Sequence, residues 1–522
     1  MTERSLPSNV DYLDMPPRAV PSERKRRKYY PANGTIYRPG QTIIIEVNDS
    51  RSLLDPANSF LEFTYQNLSA RTLGLDLGGA YNFIRTLRVV QAGNEIMRCD
   101  NYNRLMNAVI VPMTNRADKV SEQSLTNFNG LQNNGDTAIN NGLVNGFDMA
   151  RIRLNSSGRV SATGNAQNTD RLVLSVPLVG GLFSQDKFIP LPLINEPLQI
   201  HLDLEIDGRQ IGCYSGVPAE PNDALYQISN VSYTAELVEV PASVTENLRS
   251  VQRMMGGNLI LPATSWEHHN ATTDAAFTGE TNIRIPSRKK SIKSILFCAI
   301  GTDDLGASFT DAAGNAVAGN VSRVYNLSFS ANPLLKGYQM KAGSLVFPPQ
   351  KILGPSGNGI GGTATAANIP DALQRRGEAL QELLKAFGHT GTMIGSGMLG
   401  SISYCNNNVT INPGVGEASV SNFGADLTAA TAVARRPIDL GTSAGGIAGG
   451  WKGAPFALDL EAFQKEAMMS GIDTETLALQ MEMIVDVDNA AGNQASAINY
   501  DFWTWHDIVY YINENGTITY SQ

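Results

Sequence analysis

A chain of 522 residues is too long for one hydrophobic core, because single cores stop growing at roughly 250–300 residues, so two domains are expected. Charged residues make up only 17% against abundant Gly, Asn, Ser, Thr and Ala, which excludes a disordered or largely helical chain and suits extended β-structure with long polar loops. A net charge of −9 and a sequence pI near 5.2 exclude an overall basic surface for gripping nucleic acid.

Residues 1–35 read as an arm. Pro7, Pro16, Pro17 and Pro21 precede the basic cluster Arg24, Lys25, Arg26, Arg27 and Lys28, a composition too polar and too rich in proline to add to a core. Dense cationic charge of this kind suits packaged genome, the anionic lipid of an inner membrane or a nuclear import receptor, with a solvated tether as the bland alternative.

Short β segments follow at 42–47, 60–65 and 83–90, the last turning at Gly93-Asn94 before a short helix near 100–106 with an Asp or Asn cap. Residues 113–170 are dense in Asn, Gly, Ser and Thr, too long for an ordinary connection and therefore a surface excursion. Strands resume at 172–176. The run 198–206 sets Leu198, Ile200, Leu202, Leu204 and Ile206 against Gln199, His201, Asp203 and Glu205, the period of a strand with one buried and one wet face. A strand at 226–240 closes a first sandwich spanning 36–240.

A linker at 241–257 has helical spacing in Val244, Leu248, Val251 and Met255. The second sandwich, 258–522, opens at 258–262 and continues through 283–285, 291–300 and 323–330. Between Pro370 and Gly388, Leu373, Leu380, Leu383, Leu384 and Phe387 fall at three-to-four spacing, the clearest helix pattern in the chain. A Gly/Ala-rich loop at 413–455 precedes the run 477–487, where Leu477, Leu479, Met481, Met483, Val485 and Val487 alternate with polar residues as in 198–206. A strand at 500–512 and an Asn515-Gly516 turn end the chain. The expected fold is all-β: two tandem eight-stranded jelly-roll sandwiches with long end loops and a few short helices.

Catalytic motifs are weak. Gly441 to Gly445 spells GxSxG around Ser443, and Gly395 to Gly400 spells GxGxxG, but neither is followed by the helix that its chemistry needs. Adjacent His268 and His269 point to opposite faces of an extended chain, cannot share a metal, and read as surface residues. Asp303, Asp304 and Asp311 lack EF-hand spacing. Cys99, Cys213, Cys298 and Cys405 are scattered, so neither a disulfide framework nor a zinc site is signalled and they read as buried thiols in a reducing compartment. Trp503 and Trp505 share a strand face, as core or subunit contact. No catalytic, cofactor or metal site is expected, no run reaches the ~18 apolar residues of a membrane span, and without a leader the sequons carry little weight.

Several segments in order carry a resemblance. They are 83–89 through Gly93 to 101–105, Gly181-Leu182-Phe183 with 187–191, the stretch 291–297, Tyr338 to Ser344 followed by Pro348-Pro349, and Ser470 to Thr474. In this arrangement the chain resembles the double jelly-roll major capsid proteins of Polinton-like viruses and virophages, a lineage related to adenovirus hexon. Where that family usually carries Arg-Ile-Gly-Ser, this chain has Lys341-Ala342-Gly343-Ser344. The resemblance implies a structural protein and not an enzyme. It implies homotrimers forming pseudo-hexagonal capsomers that tile an icosahedral shell, with neighbouring capsomers, pentons and minor capsid proteins as partners, in virions assembled inside the host cell. The rival reading is a glycan-binding or glycan-active tandem sandwich, which needs clustered acids and exposed aromatics at one loop end.

Overall fold

The computed structural model describes residues 22–68, 73–75, 78–110, 153–154, 171–185, 187–214, 225–274, 277–301, 327, 335–354, 378–379, 381–387, 410–411, 433–434, 455–461, 470–476, 479–487 and 497–521. In the first half lie β1 (Glu23–Tyr29), β2 (Thr42–Val47), β3 (Ser52–Asn67), β4 (Ile84–Gln91), β5 (Asn94–Cys99), β6 (Ile189–Pro190), β7 (Leu198–Leu204) and β8 (Tyr226–Glu239). They pair antiparallel in the orders β1-β8-β3-β6 and β2-β7-β4-β5. In the second half lie β9 (Asn258–Thr273), β10 (Gly279–Ile285), β11 (Ile292–Gly301), β12 (Leu335–Ala342), β13 (Leu345–Leu353), β14 (Phe456–Asp459), β15 (Met481–Val487) and β16 (Ile498–Asn513). Their orders are β9-β16-β11-β14 and β10-β15-β12-β13. Apart from Ile36–Tyr37, beside β8, and Arg171–Pro177, beside β3, in the first half and Ile518–Ser521, beside β16, in the second, adding eight to every strand number turns the first pair of sheets into the second, which is one jelly roll repeated.

The two alternating runs are therefore the same strand in two copies. β7 lies between β2 and β4, with Leu202 opposite Ile43 and Leu87, and β15 lies between β10 and β12, with Met483 opposite Ile283 and Met340. Their inward residues are buried and their polar residues half-exposed. Each fully buried aliphatic side chain contributes about 1.5–3 kcal/mol. Aromatic rings fill the space between the sheets. In the first sandwich Phe83 packs on Phe63 and Tyr65 with centroids 5.8 and 4.6 Å away, and in the second Phe297 packs on Tyr338 and Phe456 at 5.2 and 5.1 Å.

Antiparallel pairing and short connections such as 92–93, 48–51 and 343–344 make odd strands run one way and even strands the other. Every odd-to-even connection therefore lies at one end of its sandwich. The longest connections, between β5 and β6 and between β13 and β14, share that end, while the hairpins occupy the opposite end.

Two expectations on strands are corrected, and one hairpin is added. The first jelly roll begins at Glu23, not at 36, because the supposed arm is its first strand. β9 runs eleven residues past Pro262, since its polar stretch of Ser265 to Thr273 is laddered throughout to β16. β12 and β13, which lack a clean alternation, form a hairpin, with Pro348 and Pro349 tolerated because β13 is an edge strand. The linker helix, α2 (Ala242–Met254), is pinned where buried Gln252 donates to the Ile512 carbonyl at 2.7 Å. The expected strand at 323–330 lies outside the described residues apart from Leu327. Of the helix expected from Pro370 to Gly388, residues 378–379 and 381–386 are described and helical, with Ala379 and Leu383 buried.

Candidate functional site

The basic cluster is not a free cationic arm. Strand pairing runs from Glu23 opposite Glu239 to Tyr29 opposite Tyr233, so Arg24, Arg26 and Lys28 point to the outer face of the sheet and Lys25 and Arg27 to the other side. Each cation meets a carboxylate. Arg24 binds Asp55 at 3.2 Å and Glu236 at 3.1 Å, Arg26 approaches Glu236 at 3.6 Å, and Lys28 binds Glu62 at 2.8 Å. Lys25 pairs with Glu239 and Arg27 with Asp49 at 3.5 Å; the bond to Glu239 holds the Lys25 amine above its usual range. The Arg26 guanidinium also covers the Phe60 ring at 4.8 Å. A run that reads as five positive charges in sequence is, in space, one side of a balanced lattice.

The second feature is the seam between the sandwiches. At the hairpin end, the buried Gln91 amide, at the end of β4, donates to the Gly516 carbonyl at 3.1 Å and accepts from the Ile518 N–H at 3.0 Å. The Asn195 N–H donates to the same Gly516 carbonyl at 3.2 Å. In the middle, Gly180, at φ +113°, stands where a Cβ would come within 3.1 Å of Trp266 on β9 and 3.3 Å of Met97 on β5, so the indole packs against bare backbone. Toward the loop end, Asn101 donates to His268 at 3.1 Å, His268 meets Asp501 at 3.0 Å, and Arg104, on α1 (Tyr102–Leu105), meets Asp501 at 3.6 Å. Arg104 also donates to the Leu327 carbonyl. Contacts between matching ends at both extremes mean that the sandwiches stand side by side with like ends together. Removing one member of the buried Arg104–Asp501 pair strands the other charge, so the seam is intolerant of single substitutions there.

The remaining candidates resolve individually. His268 and His269 are not surface residues: both side chains are largely buried, one in the seam and one beside Glu267 at 3.4 Å. Burial works against the Glu267 charge, but His269, Lys289 and the Ser287 hydroxyl prevail and bring its carboxyl down to about 2. His506, buried beside Lys289, is pushed down to about 4. Trp503 is buried and Trp505 stacks between Trp266 and Phe387. Cys99 and Cys298 are buried. Among the described residues no cluster of His, Cys, Asp and Glu is arranged to hold a metal. Ser443, the 395–400 glycine motif, Asp303, Asp304, Asp311 and Cys405 lie outside the described residues.

No protein-family model and no curated protein sequence matches the chain. Solved structures do. A chain of the Sputnik virophage structure is 12% identical with a TM-score of 0.51, over 99% of this chain and 92% of that one. The PBCV-1 virus capsid gives 10% and 0.47 over 98% and 100%, and the mavirus major capsid protein 10% and 0.44 over 99% and 94%. At 12% identity the Sputnik likeness is one of fold, and it spans both sandwiches: the chain has the double jelly-roll fold that its sequence resemblance implied.

Proposed function

We propose that this chain is the building block of a viral capsid, self-associating as a trimer whose copies tile an icosahedral shell around a genome. The observation that carries the reading is the repeat of the same eight-strand order in both halves, with both copies upright and their long connections at one end. A block of this kind has two dissimilar ends and two near-equivalent walls, as a shell tile needs, and three such blocks offer six similar walls around one axis. The full-length fold likeness to the Sputnik structure supports it. In this role the chain's partners are further copies, neighbouring trimers, and the penton and minor capsid proteins that close a shell, all in virions assembled within the host cell.

Sedimentation of the purified protein tests the reading. Three chains of 56.1 kDa give a species of about 168 kDa with a hexagonal outline in negative stain. A stable monomer at micromolar concentration overturns it.

A further inference from the structure

Within the chain, the first sandwich presents its β4–β5 hairpin to the second, with Gln91 at the Gly516 turn and Met97 and Trp266 both beside Gly180. What it meets is the outer face of β9 and β16, the side bearing Trp266, His268 and Asp501. The repeat supplies both halves of this contact a second time, and among the described residues neither half meets the other sandwich. The hairpin matching β4–β5 is β12–β13, with Gly343 at φ +61° in the turn where Gly93 has φ +77°. Counting back from these turns sets Met340 where Val89 lies and its partner Phe347 where Met97 lies. Met97 is buried, but the rim of β13 is bare: Leu345 is 48% exposed, Val346 37% and Leu353 42%. The surface matching β9–β16 is the outer face of β1 and β8, continued by β3. It carries Arg24, Arg26 and Lys28 with Glu236, Phe60 and Glu62, and next to it Val173, opposite Thr64, is 62% exposed.

We propose that the β12–β13 rim of one copy docks on the outer face of the β1–β8–β3 sheet of the next copy, repeating between chains the seam that joins the two sandwiches within each. The inference rests on the trimer reading and deepens it by naming the joining surfaces. A patch carrying three cations and no carboxylates would resist an apolar rim, because covering it would strand like charges away from water. Here the cations of β1 are already paired to Asp49, Asp55, Glu62, Glu236 and Glu239, so the wall is close to neutral and can be covered by Leu345 and Val346. The contact is head-to-tail. Three chains then hold six of them, three internal and three between copies, and leave neither half unfilled.

The test is a double variant, Leu345→Asp with Val346→Asp, both side chains being exposed in the single chain so that folding is preserved. In sedimentation at micromolar protein the 168 kDa species is expected to give way to the 56.1 kDa chain with an unchanged circular dichroism melt, while Met254→Asp, at an exposed residue of α2, leaves the trimer intact. Hydrogen exchange supplies the second readout: amides of Glu23–Tyr29 and Leu345–Leu353 exchange more slowly in the wild-type trimer than in the monomeric variant. A double variant that stays trimeric overturns the role of β13 while the trimer reading stands. Loss of the trimer with no change in exchange at Glu23–Tyr29 overturns β1 as the partner wall. A wild type that is monomeric removes the trimer reading and this interface with it.

Discussion

Gln91 is the residue at which the two sandwiches are most directly stitched, and Gln91→Ala tests that role. The side chain is 1% exposed and uses both ends of its amide, one on the Gly516 carbonyl and one on the Ile518 N–H. Truncation removes both hydrogen bonds, and losing the one to the Gly516 carbonyl costs about 1 kcal/mol. The carbonyl keeps the Asn195 N–H, whereas the Ile518 N–H faces a small apolar void and adds a desolvation cost of about 1–3 kcal/mol, for a total of about 2–4 kcal/mol. Because the loss falls at the seam, it acts first on local opening of the terminal hairpin and not on either core. Hydrogen exchange followed by mass spectrometry reads it directly: Ile518 and its hairpin neighbours exchange roughly thirty- to a thousandfold faster, at tenfold per 1.4 kcal/mol. Amides in the middle of β7 and β15 hold their rates. Asn94→Ala, an exposed change in the neighbouring hairpin, is the control and stays within about 0.5 kcal/mol. Unchanged exchange at Ile518 in Gln91→Ala refutes the account of the seam.

Leu202→Asp and Met483→Asp each place an unpaired charge in a fully buried central strand and cost several kcal/mol, enough to abolish soluble expression, whereas Glu482→Ser on the wet face is mild. Asp203→Ser is not mild, since Asp203 holds Arg88 through two bonds of 3.0 Å and accepts from Thr42 at 2.6 Å; a urea midpoint equal to wild type contradicts that geometry. Changing Arg24, Lys25, Arg26, Arg27 and Lys28 all to Gln takes the net charge from −9 to −14 and leaves the facing carboxylates unopposed, so stability falls at low salt and recovers as salt screens them, which salt-dependent melting checks. His506, with its folded pKa lowered from 6.5 to about 4, contributes stability that is complete above pH 6.5 and is lost at about 1.4 kcal/mol per pH unit as pH falls toward 4. Glu267, lowered from 4.5 to about 2, extends the loss below 4.5, and urea midpoints that stay flat from pH 7 to pH 3 refute both assignments.

What was legible in the sequence follows from which faces of each strand meet core and which meet water. β2 was read to the residue, β7 to within two residues of its end, and β15 inside the longer run 477–487, because each has its own core on one side and solvent on the other, the one situation that imposes strict alternation. The far half of β9 was missed for the opposite reason. Its outer side carries Trp266 and His268 against the first sandwich while its inner side carries Glu267 and His269, so neither face is plainly polar or apolar. β13 was hidden by Pro348 and Pro349, which only an edge strand accommodates. The seam itself was invisible, since Gln91, Asn101 and Arg104 are ordinary polar residues until a partner more than a hundred positions away is brought beside them.

The basic strand shows how the same limit misleads in the other direction. Five cations in a row look like an excess only because their counter-charges sit elsewhere in the chain: Asp55 is 31 residues from Arg24 and Glu236 is 212 away. In a helix, opposite charges that pair are three or four positions apart and the sequence displays them together; in a sheet, the neighbours of a strand are set by topology, and like charges can cluster along one strand provided that the flanking strands carry the opposite sign. β8 and β3 do so here with Glu236, Glu239, Asp55 and Glu62. A first strand laid on an exposed sheet edge would otherwise invite indiscriminate pairing with other edges. Charge on both of its faces discourages that, while pairing each charge within the sheet keeps the outer wall close to neutral.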